Sequence, residues 1–225
     1  MKKKMILFSL LAWTVFQVNA QDRRSGILEG KEQSIGVATG LDYSILPIQL
    51  TYQRGVTLRN LKYPVMLGAE VTVPLFDLDL LDSRIRLISE TTILRKRNFE
   101  IRGGIDPVFV NVKMETERMA SIGADAHFFM GLVSEKWNFG LEGNYNQIFS
   151  THIVHTDKYR ENVYAAAVDG WYKNTASNWR AGILANRTLG RVDVFFHGGL
   201  STTGKFNAYL FVPTMYMLVG VNRRF

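Results

Sequence analysis

From Gln33 to the end of the chain, apolar residues recur at every second position, and turn-forming clusters break the rhythm. That period belongs to half-buried strands. Ile35, Val37, Thr39, Leu41 and Tyr43 share one face, opposite Ser34, Gly36, Ala38, Gly40 and Asp42. Ile48, Leu50 and Tyr52 then alternate with Gln49, Thr51 and Gln53, and Val65, Leu67, Ala69, Val71 and Val73 with Gly68, Glu70 and Thr72. Ile85 and Leu87 oppose Arg84 and Arg86, after which the pattern blurs from Ile88 onward. Further stretches put Phe99, Ile101, Ile105 and Phe109 opposite Glu100, Arg102 and Asp106, and Ile122, Ala124, Ala126, Phe128 and Met130 opposite Ser121, Gly123, Asp125 and His127. Trp137, Phe139, Leu141 and Tyr145 oppose Asn138, Gly140, Glu142, Asn144 and Asn146; Trp179, Ala181, Ile183 and Ala185 oppose Asn178, Arg180, Gly182 and Asn186. Val192, Val194 and Phe196 oppose Asp193, Phe195 and His197, and Met215, Met217, Val219 and Val221 oppose Tyr216, Leu218, Gly220 and Asn222.

These stretches predict an all-β chain of about ten strands, with eight as the alternative count. One set of connections reads as short turns at Arg59-Asn60, Lys96 to Asn98, Ser134 to Lys136 and Leu189-Gly190. The long connection, about Ser150 to Ser177, falls at the other end. It is predicted to carry a short helix, with Asp157 as the N-cap and Gly170 ending the segment. Aromatics gather near strand ends: Tyr63, Phe99, Trp137 and Phe225 at one end, Tyr43, Phe76, Phe149 and Trp179 at the other. Such belts mark membrane interfaces. A water-soluble barrel alternates as well, with the apolar face turned inward instead.

The first twenty residues favour the membrane. Lys2, Lys3 and Lys4 precede an almost unbroken apolar run to Val18, and Val18-Asn19-Ala20 suits signal-peptide cleavage before Gln21. The run is short for a membrane anchor. Residues 21–32 are polar and read as a periplasmic lead-in, leaving 33–225 for the barrel. After residue 20 no apolar run is long enough for a membrane helix, and a closed barrel is the other structure that pairs every backbone group inside a bilayer. There is no cysteine, so neither a disulfide framework nor a thiolate metal site is available. The formal charge is +7. With the three signal lysines removed it is about +4, too scattered for a nucleic-acid footprint.

With this signal, strand pattern, turn asymmetry and Phe225 terminus, residues 33–225 resemble the small outer-membrane β-barrel proteins of Bacteroidota, whose mature forms often begin with Gln. The resemblance implies a single antiparallel transmembrane β-barrel in a Gram-negative outer membrane. Its surroundings would be outer-membrane lipid. Val219, Val221 and Phe225 would form the terminal signal for the barrel-assembly machinery. Arg223 departs from the pattern, standing where such terminal strands carry a hydrophobic residue; it can snorkel to headgroups.

The face opposite the apolar one is charged. Glu70, Arg84, Arg86, Glu100, Arg102, Asp106, Asp125, His127, Glu142, Arg180, Asp193 and His197 are predicted to line the lumen, with Glu90 beside them where the pattern blurs. A barrel this small is largely filled by side chains, and buried charges of both signs must pair. A plug of ion pairs and a narrow charged pore are the two readings. Asp125, His127 and Ser121 invite a hydrolase comparison, yet Ser121 and His127 lie about 20 Å apart along one strand. His152, His155 and Asp157 would need a helical segment to share a metal. No phosphate loop or zinc-protease motif is present. The expectation is therefore a non-enzyme without cofactors. It is a structural or interaction barrel, with Trp171 and Tyr172 as outer-loop contacts for an envelope partner, or else a narrow small-solute channel. A lipid-modifying enzyme lacks a coherent triad.

Overall fold

A computed structural model describes residues 28, 30–42, 45–75, 81–206 and 215–225. The expected signal peptide, Tyr43 and Phe76 lie outside the described residues. Ten strands follow one another: β1 (Gln33–Leu41), β2 (Ile45–Val56), β3 (Val65–Pro74), β4 (Ser83–Lys96), β5 (Phe99–Lys113), β6 (Glu117–Val133), β7 (Trp137–His155), β8 (Gly170–Leu189), β9 (Val192–Phe206) and β10 (Met215–Arg224). One helix, α1 (Asp157–Asn162), lies between β7 and β8. Each strand pairs antiparallel with the next and β10 pairs back to β1, so the sheet closes into a ten-stranded barrel. Closure leaves no unpaired sheet edge.

Period-two alternation sorts the side chains as expected, and it sorts them inside out. Ile93, Ile105, Leu132 and Leu200 are each exposed by more than 60% on the outer face, while Asp106 and Asp125 are fully buried within. A water-soluble barrel has the opposite arrangement.

Two-residue turns at Arg97-Asn98 and Gly190-Arg191 join β4 to β5 and β8 to β9. The first residue of each takes a positive φ, 54° at Arg97 and 65° at Gly190, the backbone such tight hairpins require. In the β6–β7 turn the Trp137 amide donates to Ser134 Oγ at 3.1 Å. The β2–β3 connection, expected as a short turn at Arg59-Asn60, instead covers residues 57–64.

The expected long loop is also shorter than its sequence suggested. Ser150 to Ile153 pair with Lys173 to Gly170, so the β7–β8 ladder continues beyond a bulge between Ile148 and Ser150. A bulge offsets the alternation by one residue, and the extension therefore reads as loop. The connection itself is 156–169. Thr156, not Asp157, caps α1 by accepting from the Tyr159 amide, and the helix ends before Ala165. Thr156 Oγ1 also donates to the Thr116 carbonyl at 3.0 Å, and Lys158 pairs with Glu115, fastening this loop to the β5–β6 turn. Those contacts hold Glu115 below the usual carboxylate range, through its hydrogen bond and charge contact with Lys158.

Candidate functional site: the charged lumen

Every charged residue expected to face inward does so. Parity assigns them to the lumen, and closure brings them within reach of one another. On one wall β3 to β7 carry a continuous chain of contacts. Glu70 receives Arg86 at 2.5 Å and has Arg84 at 3.9 Å. Arg84 crosses to Asp125 on β6, which also accepts from Asn146 on β7. Arg86 Nε lies 3.8 Å from Asp106 on β5. His127 stands between two acids, with Nδ1 3.3 Å from Asp106 and Nε2 3.4 Å from Glu90. Arg102 reaches Glu90 at 3.1 Å and Glu100 at 3.7 Å, and lies over the Phe129 ring at 4.4 Å. Glu100 accepts further from Arg95 at 2.8 Å and Thr92 at 2.9 Å.

Room for this chain comes from glycine. A Cβ at Gly104 would fall 1.6 Å from the Ser89 carbonyl oxygen and 2.9 Å from His127 Cε1. Without one, β4 approaches β5 closely, and the Ser89 amide donates to Asp106 at 2.7 Å.

The opposite wall holds two smaller groups. Arg180 pairs with Asp42, and Glu142 accepts from Tyr216 at 2.9 Å and contacts His197 at 2.9 Å. Gly182 leaves space for Tyr216; a Cβ there would come 2.4 Å from its hydroxyl. Near the end of β10 Asp193 binds Arg224 at 2.6 Å and Thr188 at 2.5 Å. In these groups six guanidiniums face eight carboxylates, and His127 and His197 stand against three of those acids. Between the walls lies a cavity of about 250 Å³, lined by residues of both.

No protein-family model matches this chain, and no curated protein matches it in sequence. What the lumen can do must therefore be argued from its own groups. Buried guanidinium–carboxylate contacts on adjacent strands stiffen the interior and leave little fixed charge unopposed. Among the described residues Ser121, the hydroxyl compared with a nucleophile, does not reach His127. Ser121 bonds to Thr151 at 2.8 Å, and Thr151 to Thr175 at 2.7 Å, a hydroxyl ladder across β6, β7 and β8 rather than a partner for His127. His152 packs on Trp171 at 5.0 Å, whereas His155 bonds to Asp169 at 3.0 Å, so the loop histidines hold different partners. Among the described residues no group of three or more His, Asp or Glu side chains is placed to hold a metal ion.

Trp171 and Tyr172, expected as loop contacts, are strand residues at the start of β8, paired with His152 and Thr151. Both remain exposed, and the Tyr172 hydroxyl donates to the Val168 carbonyl at 2.8 Å. Val219 in the last strand and Phe225 just after it are exposed, and Phe225 exchanges backbone hydrogen bonds with Gln33 at 2.9 and 3.1 Å. Asp42, Arg95, Tyr216 and Arg224 join the lumen groups beyond the residues singled out from sequence.

Proposed function

We propose that this chain is an outer-membrane β-barrel protein, exported by residues 1–20, that serves the envelope as a structural or interaction barrel. The observation carrying this reading is the inversion of the fold. Its exterior is a band of Leu, Ile, Val, Phe and Met, while Glu100, Asp106 and Asp125 are buried inside. Lipid is the solvent that rewards such an exterior, and a closed barrel satisfies its backbone there. The continuous ion-pair chain along one wall narrows the interior and opposes its charges to one another, which favours a plug over an ion pore. Trp171 and Tyr172, held on paired strands beyond the apolar band, suit contact with an envelope partner. Val219, Val221 and Phe225 suit recognition by the assembly machinery. The likeness to small Bacteroidota barrels belongs to the same proposal.

The lumen cavity favours one second reading, a narrow channel for small solutes. Planar-bilayer recording of the chain without residues 1–20 separates the two. A structural barrel gives silence with a co-purifying partner, and large stable openings would overturn it. The membrane reading is tested beforehand: the protein should require detergent, show a strand-dominated circular dichroism spectrum and shift mobility on heating. Solubility without detergent would sink it.

A further inference from the structure

The two ends of the barrel differ in charge. Four connections lie at the end where β1 starts and β10 finishes: 57–64, 97–98, 134–136 and 190–191. Each exposes a cation, Arg59 and Lys62 in the first, then Arg97, Lys136 and Arg191. Glu135 is the one acid among their residues. At the other end Glu115, Asp157, Glu161 and Asp169 are all exposed in the 114–116 and 156–169 connections. The cations are spread from hairpin to hairpin round the circumference. Such a ring suits either a surrounding leaflet of anionic lipid or an acidic partner that caps the end.

The outer wall favours the lipid. Arg187 is exposed on β8, level with Trp137 on β7, and its guanidinium lies 5.0 Å from the centre of the Trp137 ring. An exposed indole beside a long basic side chain, at the edge of an apolar band, belongs at headgroup depth. The Thr188 amide donates to the Lys136 carbonyl at 2.9 Å, which brings the 134–136 turn beside this pair. Among the described residues neither Arg187 nor Lys136 forms an ion pair. Two residues from Arg187, on the same face of β8, Ala185 stands in register between Phe139 on β7 and Phe196 on β9. The small side chain leaves a low strip between two aromatic ones, on the exterior and directly below the guanidinium. A partner capping the end would meet the turns, not a strip on the side wall.

We propose that Arg187 and Lys136 hold the phosphate of an anionic phospholipid, with Trp137 at the level of its esters and an acyl chain along the Ala185 strip. The proposal rests on the membrane-barrel reading. The guanidinium fork meets two phosphate oxygens, and the ammonium adds a point charge. A zwitterionic headgroup would bring its own cation into a field of like charge, so the seat prefers a lipid whose headgroup ends without one.

The test uses the chain without residues 1–20 in phosphatidylcholine vesicles. Flotation with the vesicles is scored first, and its failure overturns the membrane reading itself. Trp171→Phe and Trp179→Phe then leave Trp137 as the sole tryptophan of that chain. Its quenching is compared for phosphatidylglycerol and phosphatidylcholine brominated near the carboxyl end of the acyl chains, and the ratio of the two gives the preference within each variant. Phosphatidylglycerol should be favoured. Arg187→Gln should lower the preference about fivefold, the factor equivalent to ~1 kcal/mol per cation near an anionic surface, and Arg187→Lys should keep most of it. Lys136→Gln should act like Arg187→Gln, and it leaves the Trp137 contact in place should the arginine variant fail its heat-induced gel shift. Lys173→Gln, at the opposite end, should change nothing. Excess inorganic phosphate should not displace the brominated lipid; displacement would make this a seat for free phosphate and overturn the lipid. No preference for phosphatidylglycerol, a preference unmoved by Arg187→Gln and Lys136→Gln, or an equal loss with Lys173→Gln also overturns the proposal.

Discussion

Asp125 has no exposure to solvent, and its charge is met by Arg84 and Asn146. Removing Arg84 takes away the one guanidinium in contact with that carboxylate and leaves the Asn146 amide as its hydrogen-bond partner. Arg84→Ala should therefore destabilise the barrel by about 3–5 kcal/mol, read as a lower temperature for the heat-induced gel shift. Asp125→Ala in the same chain should restore part of the loss. If the lumen were wet, screening would limit the pair to about 1 kcal/mol and the shift would hardly move. Outside the barrel wall, Asp169 accepts from the His155 amide and ring and from Arg160. These bonds, the His155 amide first, hold its carboxyl at about 2, below the ordinary 3.8. A depressed acid steadies the fold above its unfolded value and loses that effect as pH falls through its folded one. The 156–169 loop should thus resist protease at neutral pH and loosen as pH drops from 3.8 towards 2. Asp169→Asn should show the loosened digestion pattern already at neutral pH, with the barrel's gel shift unchanged. Much of the lumen at this scale was legible in parity alone. Asp42, Tyr216 and Arg224 fall on the polar register of their strands and needed only that rule. Arg95 did not, because the bulge between Thr92 and Leu94 reverses the register and turns an odd-numbered residue inward.

At the scale of elements, every predicted strand exists and presents the predicted face, because one side of each strand meets an environment unlike the other. Strand ends were less legible. β6, β7 and β8 contain 17, 19 and 20 residues, well beyond the ~9–11 that span a bilayer. Past the apolar band nothing enforces alternation, so residues 150–155 and 170–177 carry no periodic signature although they are paired. Orientation follows from the elements and can be checked in this cysteine-free chain. A cysteine replacing Glu161, exposed in α1, should label with an impermeant maleimide on intact cells. One replacing Asn98 in the β4–β5 turn should label only once the envelope is opened. The opposite result would reverse the direction of the barrel.

For the whole molecule, strand number was readable from the repeat of alternation and turns, while lumen width was not. Width depends on strand tilt and stagger, which no local pattern records. The barrel is also lopsided. β1 and β10 have 9 and 10 residues, against 19 and 20 in β7 and β8. All pairings but one join neighbours in sequence; the exception joins β1 to β10 across nearly the entire chain. That seam combines a short ladder of eight register pairs with the longest loop to close, and chain entropy opposes it most. It should form last in folding and part first in unfolding, which would set the cylinder's durability along one line. Val37 and Val221 face each other across it. A disulfide between cysteines at those two positions should lengthen the unfolding half-life far more than the same staple placed between Leu141 and Ile183, which face each other across β7 and β8. Equal effects would mean that the wall unravels elsewhere. Whatever opens this protein to repair, degradation or a lateral guest would begin at that one line.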